Sequence, residues 1–418
     1  MNKDKNIWII NHYAIPPSIG GLNRHYYFAK ELISRGYNVR IFTSSAIHNT
    51  DINMIENDVL FSDISVDGIT YTYIKSSSYK GNGLARIKNM FGFAFLVQKI
   101  KKHFSTEKPD IIYTSSPDLF TAFSAEILAK RLNIPCICEI RDLWPLSIVE
   151  YKNMSPRNPI IVALYMLEKW IYRKASALIF TMEGGKQYVV DKKWNKKIDT
   201  NKIFNVNNGV DLERYEDNIN EFVIDDSDLN NEETFKIIYC GSIREANNIG
   251  LLVDVAKKFG NEEKIQFIMF GGGEDIEKYR QRCENENIKN VVFKGQVNKK
   301  YIPYILSKSN LNILNYKNVN TWKYGGSQNK MFEYMASGKP LLSTIKMGYS
   351  LIERYNCGVE IEEQNIENIY LAINNIKNLC IDKYNKMCNN AKNAAKDFDF
   401  KVLTDKIEEV INFTMEKK

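Results

Sequence analysis

Three glycine-bearing segments carry the residue types best suited to chemistry in this 418-residue chain. The richest runs Gly325-Gly326-Ser327-Gln328-Asn329-Lys330-Met331-Phe332-Glu333-Tyr334-Met335-Ala336-Ser337-Gly338-Lys339-Pro340. Ser327 is of a type that caps helix N-termini and Gly338 of a type that ends helices. A short helix is therefore expected between them, with Lys339-Pro340 leading to a strand. Unpaired N–H groups at its start, together with Lys330, present positive potential suited to a diphosphate. Glu333 lies one turn past Asn329, and its acceptor-only carboxylate suits the two hydroxyls of a ribose. Ser327, Asn329, Lys330, Met331 and Glu333 are thus candidate nucleotide contacts, an ordinary surface helix being the alternative. In Gly271-Gly272-Gly273-Glu274, Gly272 and Gly273 could cradle a phosphate or simply turn the chain from strand to helix. The same two readings hold for Gly20 and Gly21, which form neither a Walker loop nor a Gly-x-Gly-x-x-Gly fingerprint.

The elements that must position these segments follow from periodicity. Short apolar, β-rich runs alternate with amphipathic stretches from end to end. Strands are expected at 7–12, 39–43, 110–114, 136–140 and 178–181, with helices over 22–35, 119–132 and 159–174. The rhythm lapses over 211–233, an acidic, Asn-rich stretch containing Asp225-Asp226-Ser227-Asp228. It restarts with strands at 236–240, 266–270, 291–294, 311–315 and 341–343, and helices over 249–259, 275–285 and 301–309. Repeated strand–helix–strand units imply parallel sheets with right-handed crossovers. The expected fold class is therefore α/β, with two doubly wound, Rossmann-like domains at 1–210 and 211–395 facing a central cleft. A final helix over 396–418 is expected to pack back on the first domain.

Composition excludes several classes. With 44% apolar and 26% charged residues the chain is neither disordered nor fibrous. Lys and Arg number 57 against 50 for Asp and Glu, a mild excess that does not indicate a nucleic-acid binder. Seven scattered cysteines and four dispersed histidines form no zinc spacing, and free thiols in a reducing cytosol are expected. The first apolar run is too short for a secretory signal, and no stretch reaches the roughly 18 apolar residues of a membrane span. Residues 84–104 are basic at both ends around an apolar centre containing Phe91, Phe93 and Phe95. That pattern fits an interfacial membrane helix, or a buried helix with solvated ends.

The segment from Asn329 to Pro340 resembles the nucleotide-sugar signature of family-4 retaining glycosyltransferases of GT-B fold. Ile15-Pro16-Pro17-Ser18-Ile19-Gly20-Gly21 resembles that family's N-terminal glycine loop, and Asn207-Asn208-Gly209-Val210-Asp211 its interdomain junction. Arg141-Asp142-Leu143-Trp144-Pro145 resembles the post-strand motif of its bacterial surface-polysaccharide branch, which includes L-fucosamine-transferase-like enzymes of O-antigen and capsule assembly. Gly271–Gly272–Gly273–Glu274 and Val292-Phe293-Lys294-Gly295-Gln296-Val297 complete a collinear set over nearly the whole chain. Two positions depart from the pattern. The family's Glu-x7-Glu pair would place its first Glu where Gly325 stands, so donor-sugar contacts must come from elsewhere, with the amides of Gly325–Ser327 as candidates. An Arg and a Lys expected after the first strand of the second domain are Ser242 and Asn247 here, with Arg244 nearby.

The resemblance implies transfer, with retention, from a nucleotide-diphosphate sugar (UDP-sugar favoured) to a polyprenyl-diphosphate-linked glycan at the cytoplasmic side of an anionic membrane surface. It implies no cofactor, no metal and no nucleic acid. Arg244, Lys330 and the Gly20–Gly21 amides would stabilise the leaving diphosphate. Ser242 would join Gly272 and Gly273 at the donor. Asp142 or Glu139 would orient or deprotonate the acceptor hydroxyl, with Arg24, His25 and Arg141 as further acceptor contacts. For Arg141 an internal ion pair, and for His25 simple packing among aromatics, are the competing readings. Asp397-Phe398-Asp399 imitates a metal-binding Asp-x-Asp but precedes the final helix, away from any expected strand-end loop. Alternative functions are a nucleotide-sugar 2-epimerase of the same fold and a non-catalytic nucleotide-sugar-binding subunit.

Overall fold

The computed structural model describes residues 5–20, 23–48, 50–79, 81, 83–261 and 264–416. The chain forms two compact units, Met1–Asn207 with Leu403–Lys418, and Asn208–Val402.

The first unit contains β1 (Asn6–Ile10), α1 (Arg24–Ser34), β2 (Asn38–Ser44), β3 (Phe61–Val66) and β4 (Ile69–Ile74). Then come α2 (Leu84–Val97), α3 (Ile100–His103), β5 (Ile111–Ser115), α4 (Leu119–Leu132) and β6 (Cys136–Ile140). It continues with α5 (Leu146–Lys152), α6 (Pro159–Lys174), β7 (Ala177–Phe180), α7 (Gly185–Asp191) and β8 (Ile203–Asn205). The strands form one sheet in the order β3-β4-β2-β1-β5-β6-β7-β8. Ile7, Trp8, Ile9 and Ile10 of β1 are all buried, as a parallel strand covered on both faces requires. Only the β3–β4 pair is antiparallel. Asp67 and Gly68 join it, both with positive φ, which is the backbone of a type I′ hairpin turn. The sequence reading overlooked this hairpin although β3 alternates half-buried and exposed positions from Ser62 to Val66, because the strand is too polar to stand out as an apolar run.

The second unit begins with α8 (Leu212–Glu221), α9 (Ser227–Asn230), β9 (Phe235–Cys240), α10 (Ile249–Phe259) and β10 (Ile265–Phe270). It goes on with α11 (Ile276–Asn285), β11 (Val291–Gly295), α12 (Ile302–Ser307), β12 (Leu311–Leu314), α13 (Asn329–Ala336) and β13 (Leu341–Ser343). The last elements are α14 (Leu351–Arg354), β14 (Gly358–Glu360), α15 (Ile366–Lys377) and α16 (Ile381–Lys396). Its sheet is wholly parallel, in the order β11-β10-β9-β12-β13-β14. The acidic stretch read as aperiodic is partly helical, because its carboxylates cap helices. Asp211 accepts from the Arg214 amide at the start of α8, and Asp226 caps α9 while pairing with Lys294 at 2.7 Å. The closing helix α17 (Phe400–Glu416) belongs to the first unit from Leu403 onward. Leu403, Ile407, Val410 and Ile411 are buried, and Arg35 of α1 pairs with Asp405 and Glu408.

In each sheet the direction of strand addition reverses once, between β1 and β5 and between β9 and β12. Open α/β sheets bind ligands beyond the carboxyl ends of strands at such a reversal.

Candidate active site

Beyond the carboxyl ends of β9 and β12 lies Lys330, on the first turn of α13. Its Nζ is 3.1 Å from the Tyr239 hydroxyl, which in turn donates to the Ser242 carbonyl. The same Nζ lies 4.4 Å from the centre of the Tyr239 ring and 5.0 Å from that of Tyr316. A Cβ on Gly241 would stand 2.5 Å from it, so the glycine at the end of β9 makes room for this ammonium. Burial of the head group lowers its pKa to about 8, against the opposing pull of Cys240 and Glu333.

Ser327 is not the cap of this helix. Gln328 occupies that position without a side-chain bond to the helix, while the Ser327 hydroxyl accepts from the Asn208 amide at 2.7 Å. The cap residue thus leaves the first amides of α13 without its side chain, which keeps the helix N-terminal partial charge available to an anion. Of the three amides considered for sugar contacts, that of Gly325 is already donated to the Trp322 carbonyl. Asn329 is half-buried at the helix start, whereas Met331 points into the core at 2% exposure and is not a ligand contact. Glu333 is paired with Lys299 at 3.0 Å. Sequence reasoning missed Lys299, although its place just after β11, in a strand-end loop, was a usable signal.

The glycine triplet is mainly a packing device. Gly271 and Gly273 have φ of 144° and 157°, and a Cβ there would lie 1.8 Å from the Gly241 carbonyl oxygen and 2.1 Å from that of Ile243. The loop after β9 lies directly against them, with the Ile243 amide donating to the Gly272 carbonyl. Gly272 is more open, its added Cβ meeting only the Gln296 side chain at 3.2 Å. Ser242 and Asn247 bond to each other, the Asn247 amide reaching the Ser242 carbonyl at 2.7 Å and its hydroxyl at 2.8 Å. A neutral pair therefore stands where the resemblance implies two cations. Arg244 is exposed between them in sequence.

In the first unit the structure separates the proposed acid–base residues. Glu139, at the end of β6, is fully buried and accepts from Arg24 Nε at 2.8 Å, Tyr113 at 2.6 Å and Ser115 at 2.7 Å. Burial pushes its pKa up, but Arg24, His25 and Arg141 more than offset this and hold it well below the usual carboxylate range. Glu139 is thus an internal counter-ion and not a base open to an acceptor. Arg24 also donates to the carbonyls of Val206 and Asn207 and lies over the Phe28 ring. His25, also buried, sits edge-on to Tyr113 with Nε2 3.2 Å from Glu139. Arg24 and His25 are therefore core residues and not acceptor contacts. Arg141 has a buried Nε without a partner. Asp142 is exposed and accepts from the Ser147 hydroxyl, which makes it the acidic candidate that an acceptor can reach. The amide of Gly20 donates to the Pro16 carbonyl, and Gly21 lies outside the described residues. His12 and Arg86 lie near the β1 end. His12 bonds Asn89 at 2.6 Å and is held neutral by burial, its pKa pushed down to about 3, and Arg86 bonds the Tyr13 hydroxyl at 2.9 Å.

Among the described residues no group of three or more His, Cys, Asp or Glu could hold a metal. Asp397 accepts from the Tyr355 hydroxyl and Asp399 from the Lys401 amide.

The second unit thus brings Lys330, the start of α13 and Glu333 together at one reversal of strand order. Residues 19–214 match the model of Glycosyltransferase Family 4, and residues 221–396 that of Glycosyl transferases group 1. No curated protein sequence matches the chain. Among solved structures, sucrose-phosphate synthase (tll1590) from Thermosynechococcus elongatus is similar with a TM-score of 0.74 at 16% identity, over 99% of this chain and 100% of that one. Anabaena Alr3699/HepE in complex with UDP-glucose gives a TM-score of 0.66 at 15% identity, over 97% and 99%. WaaG, a glycosyltransferase involved in lipopolysaccharide biosynthesis, gives 0.65 at 14%, over 97% and 99%. At these identities the likeness speaks for the fold, while the two domain models speak for the chemistry. The chain is a glycosyltransferase of the GT-B type, carrying a Glycosyltransferase Family 4 domain followed by a Glycosyl transferases group 1 domain.

Proposed function

We propose that this enzyme moves a sugar, with retention, from a nucleotide-diphosphate sugar (UDP-sugar favoured) to a lipid-linked glycan of bacterial surface-polysaccharide assembly, working peripherally at the cytoplasmic face of the membrane. The observation that carries the donor half is Lys330 poised with the uncapped start of α13 at the β9–β12 reversal, one turn before Glu333. HepE was solved with UDP-glucose, which supports a uridine donor. Charge grows on the leaving diphosphate as the sugar bond breaks, and the fixed cation and helix amides stabilise it without reorganising. Arg244, exposed beside the same loop, can add a second charge.

Glu333 would take the ribose. Glu333→Ala is expected to weaken binding of UDP and of UDP-sugar alike by roughly 1.5–3 kcal/mol, the scale of a hydrogen bond to a charged group. Titration calorimetry decides this, and an unchanged affinity for UDP alone would remove Glu333 from the site.

For the acceptor half, Asp142 is the exposed carboxylate at a strand end, able to orient a hydroxyl. In the segment from α2 to α3 the membrane reading rests on its basic residues and on two of its three phenylalanines. Phe91 and Phe95 are exposed, whereas Phe93 is in the core and cannot enter a lipid boundary. No helix among the described residues is long and apolar enough to cross a membrane.

The deciding experiment is release of nucleoside diphosphate from a panel of donors with and without acceptor. A transferase releases it only with acceptor, a 2-epimerase without one, and a binding subunit not at all. Activity is expected to persist in excess chelator, since the described residues offer no cluster of metal-ligating side chains. Loss of activity in chelator with rescue by Mn²⁺ or Mg²⁺ would overturn the proposed mechanism.

A further inference from the structure

The first unit contains a cavity of about 760 Å³ among α2, the start of α4, α5 and α6, within the ~300–1,000 Å³ range of small-molecule sites. Met90, Phe91, Phe120, Trp144, Ile160 and Leu164 give it an apolar lining. Its wall continues into an exposed apolar strip, with Phe91 at 53% and Ile160 at 66% exposure and Leu84, Phe95 and Met166 also open. Apolar patches of this kind on a folded surface mark interaction sites.

From the cavity, the glycosyltransferase reading and charge together, we infer that this groove holds the hydrocarbon chain of an isoprenyl-diphosphate acceptor, with Arg86 and Lys152 receiving its diphosphate. The inference rests on the lipid-linked acceptor proposed above. Both cations line the otherwise apolar groove, and the one acid there, Asp118, is turned inward to cap α4 through the Thr121 amide and hydroxyl. From residue 84 to residue 106 the chain carries five Lys or Arg (Arg86, Lys88, Lys99, Lys101, Lys102) and no Asp or Glu. That surface complements an anionic headgroup. A polypeptide occupant would bury backbone N–H and C=O groups for which this lining offers few partners, whereas a hydrocarbon chain asks for none. The position fits the chemistry as well. Trp144 in the groove wall lies two residues from Asp142 and donates its amide to the Asp142 carbonyl, so the groove adjoins the strand-end segment that carries this carboxylate.

The test compares farnesyl diphosphate, farnesol and inorganic diphosphate by titration calorimetry on the full chain. Each buried CH₂ is worth about fourfold in affinity, so farnesyl diphosphate is expected to bind at least ~100-fold tighter than inorganic diphosphate. Ala163→Trp places bulk in the groove from an exposed position on α6, and Ile160→Glu places a charge there. Each should lower farnesyl diphosphate affinity by about tenfold or more while leaving inorganic diphosphate binding and the melting temperature unchanged. Equal affinity of wild type for farnesyl and inorganic diphosphate overturns the inference, as does indifference to both substitutions. Transfer onto a lipid-linked glycan with a KM untouched by Ala163→Trp keeps the proposed function and removes the groove. Tight farnesyl diphosphate binding without transfer to any lipid-linked glycan keeps the groove and removes that function.

Discussion

Lys330→Met is expected to lower saturating turnover by about 10²- to 10³-fold, the loss seen when one fixed donor to a developing anion is removed. The lysine is held by Tyr239, Tyr316 and the space left at Gly241, so it does not have to be gathered during the reaction. An interaction that strengthens as the diphosphate departs acts on kcat, whereas one equal in ground and transition states acts only on KM. Steady-state kinetics alongside UDP calorimetry separates the two cases. If only UDP affinity falls and saturating turnover stays intact, Lys330 is a docking charge. A pH series adds an independent check. With its pKa lowered to about 8 by burial, Lys330 is charged below that pH and loses its charge above it. Affinity of the unliganded enzyme for UDP should therefore fall as pH rises through about 8, and Lys330→Arg, charged throughout, should flatten that fall.

Arg24→Met is expected to destabilise the first unit by roughly 3–5 kcal/mol, because it takes from the buried Glu139 the arginine bonded directly to it. Tyr113 and Ser115 would still donate to Glu139 and Arg141 would still favour its charged form, but Arg24 is the arginine in direct contact with it. Urea unfolding measures the loss, and the double variant Arg24→Met/Glu139→Gln should recover part of it. The pH dependence has a definite sign. In the wild type the folded pKa of Glu139 is depressed, so its contribution is present above the unfolded value of about 4.3 and lost as pH falls through the folded value. Removing Arg24 takes away the largest of the effects that depress that pKa, so the gap between variant and wild type should narrow as pH falls. A loss under about 1 kcal/mol, typical of a surface pair, would mean that Glu139 is not held by Arg24 in this way.

The sequence alone determined what depends on neighbours along the chain. α4 (Leu119–Leu132), β6 (Cys136–Ile140), α6 (Pro159–Lys174) and α10 (Ile249–Phe259) have the bounds that apolar periodicity assigns them. A 3.6- or 2-residue repeat is a property of consecutive residues and is visible without any partner. The same holds for Lys330 and Glu333, whose common side follows from helical spacing. The Asp67-Gly68 turn was equally legible, but β3 before it carries too few apolar residues to stand out as an apolar run.

Only the tertiary structure decided which of the candidate side chains are buried or paired and which stay open. Arg24 and Glu139 are 115 residues apart in sequence, and their pairing depends on α1 and the β6 end meeting inside one unit. Gly271 and Gly273 must be glycine because the strand order brings the loop after β9 against them and leaves no space for a Cβ, a packing demand invisible in their spacing. Phe93 and Phe95 look alike in sequence, yet one lies in the core and the other is open. Lys299 reaches Glu333 because β11 and α13 deliver them to one place. Burial and pairing between distant segments are set by sheet order and packing, and a local spacing holds no information about either.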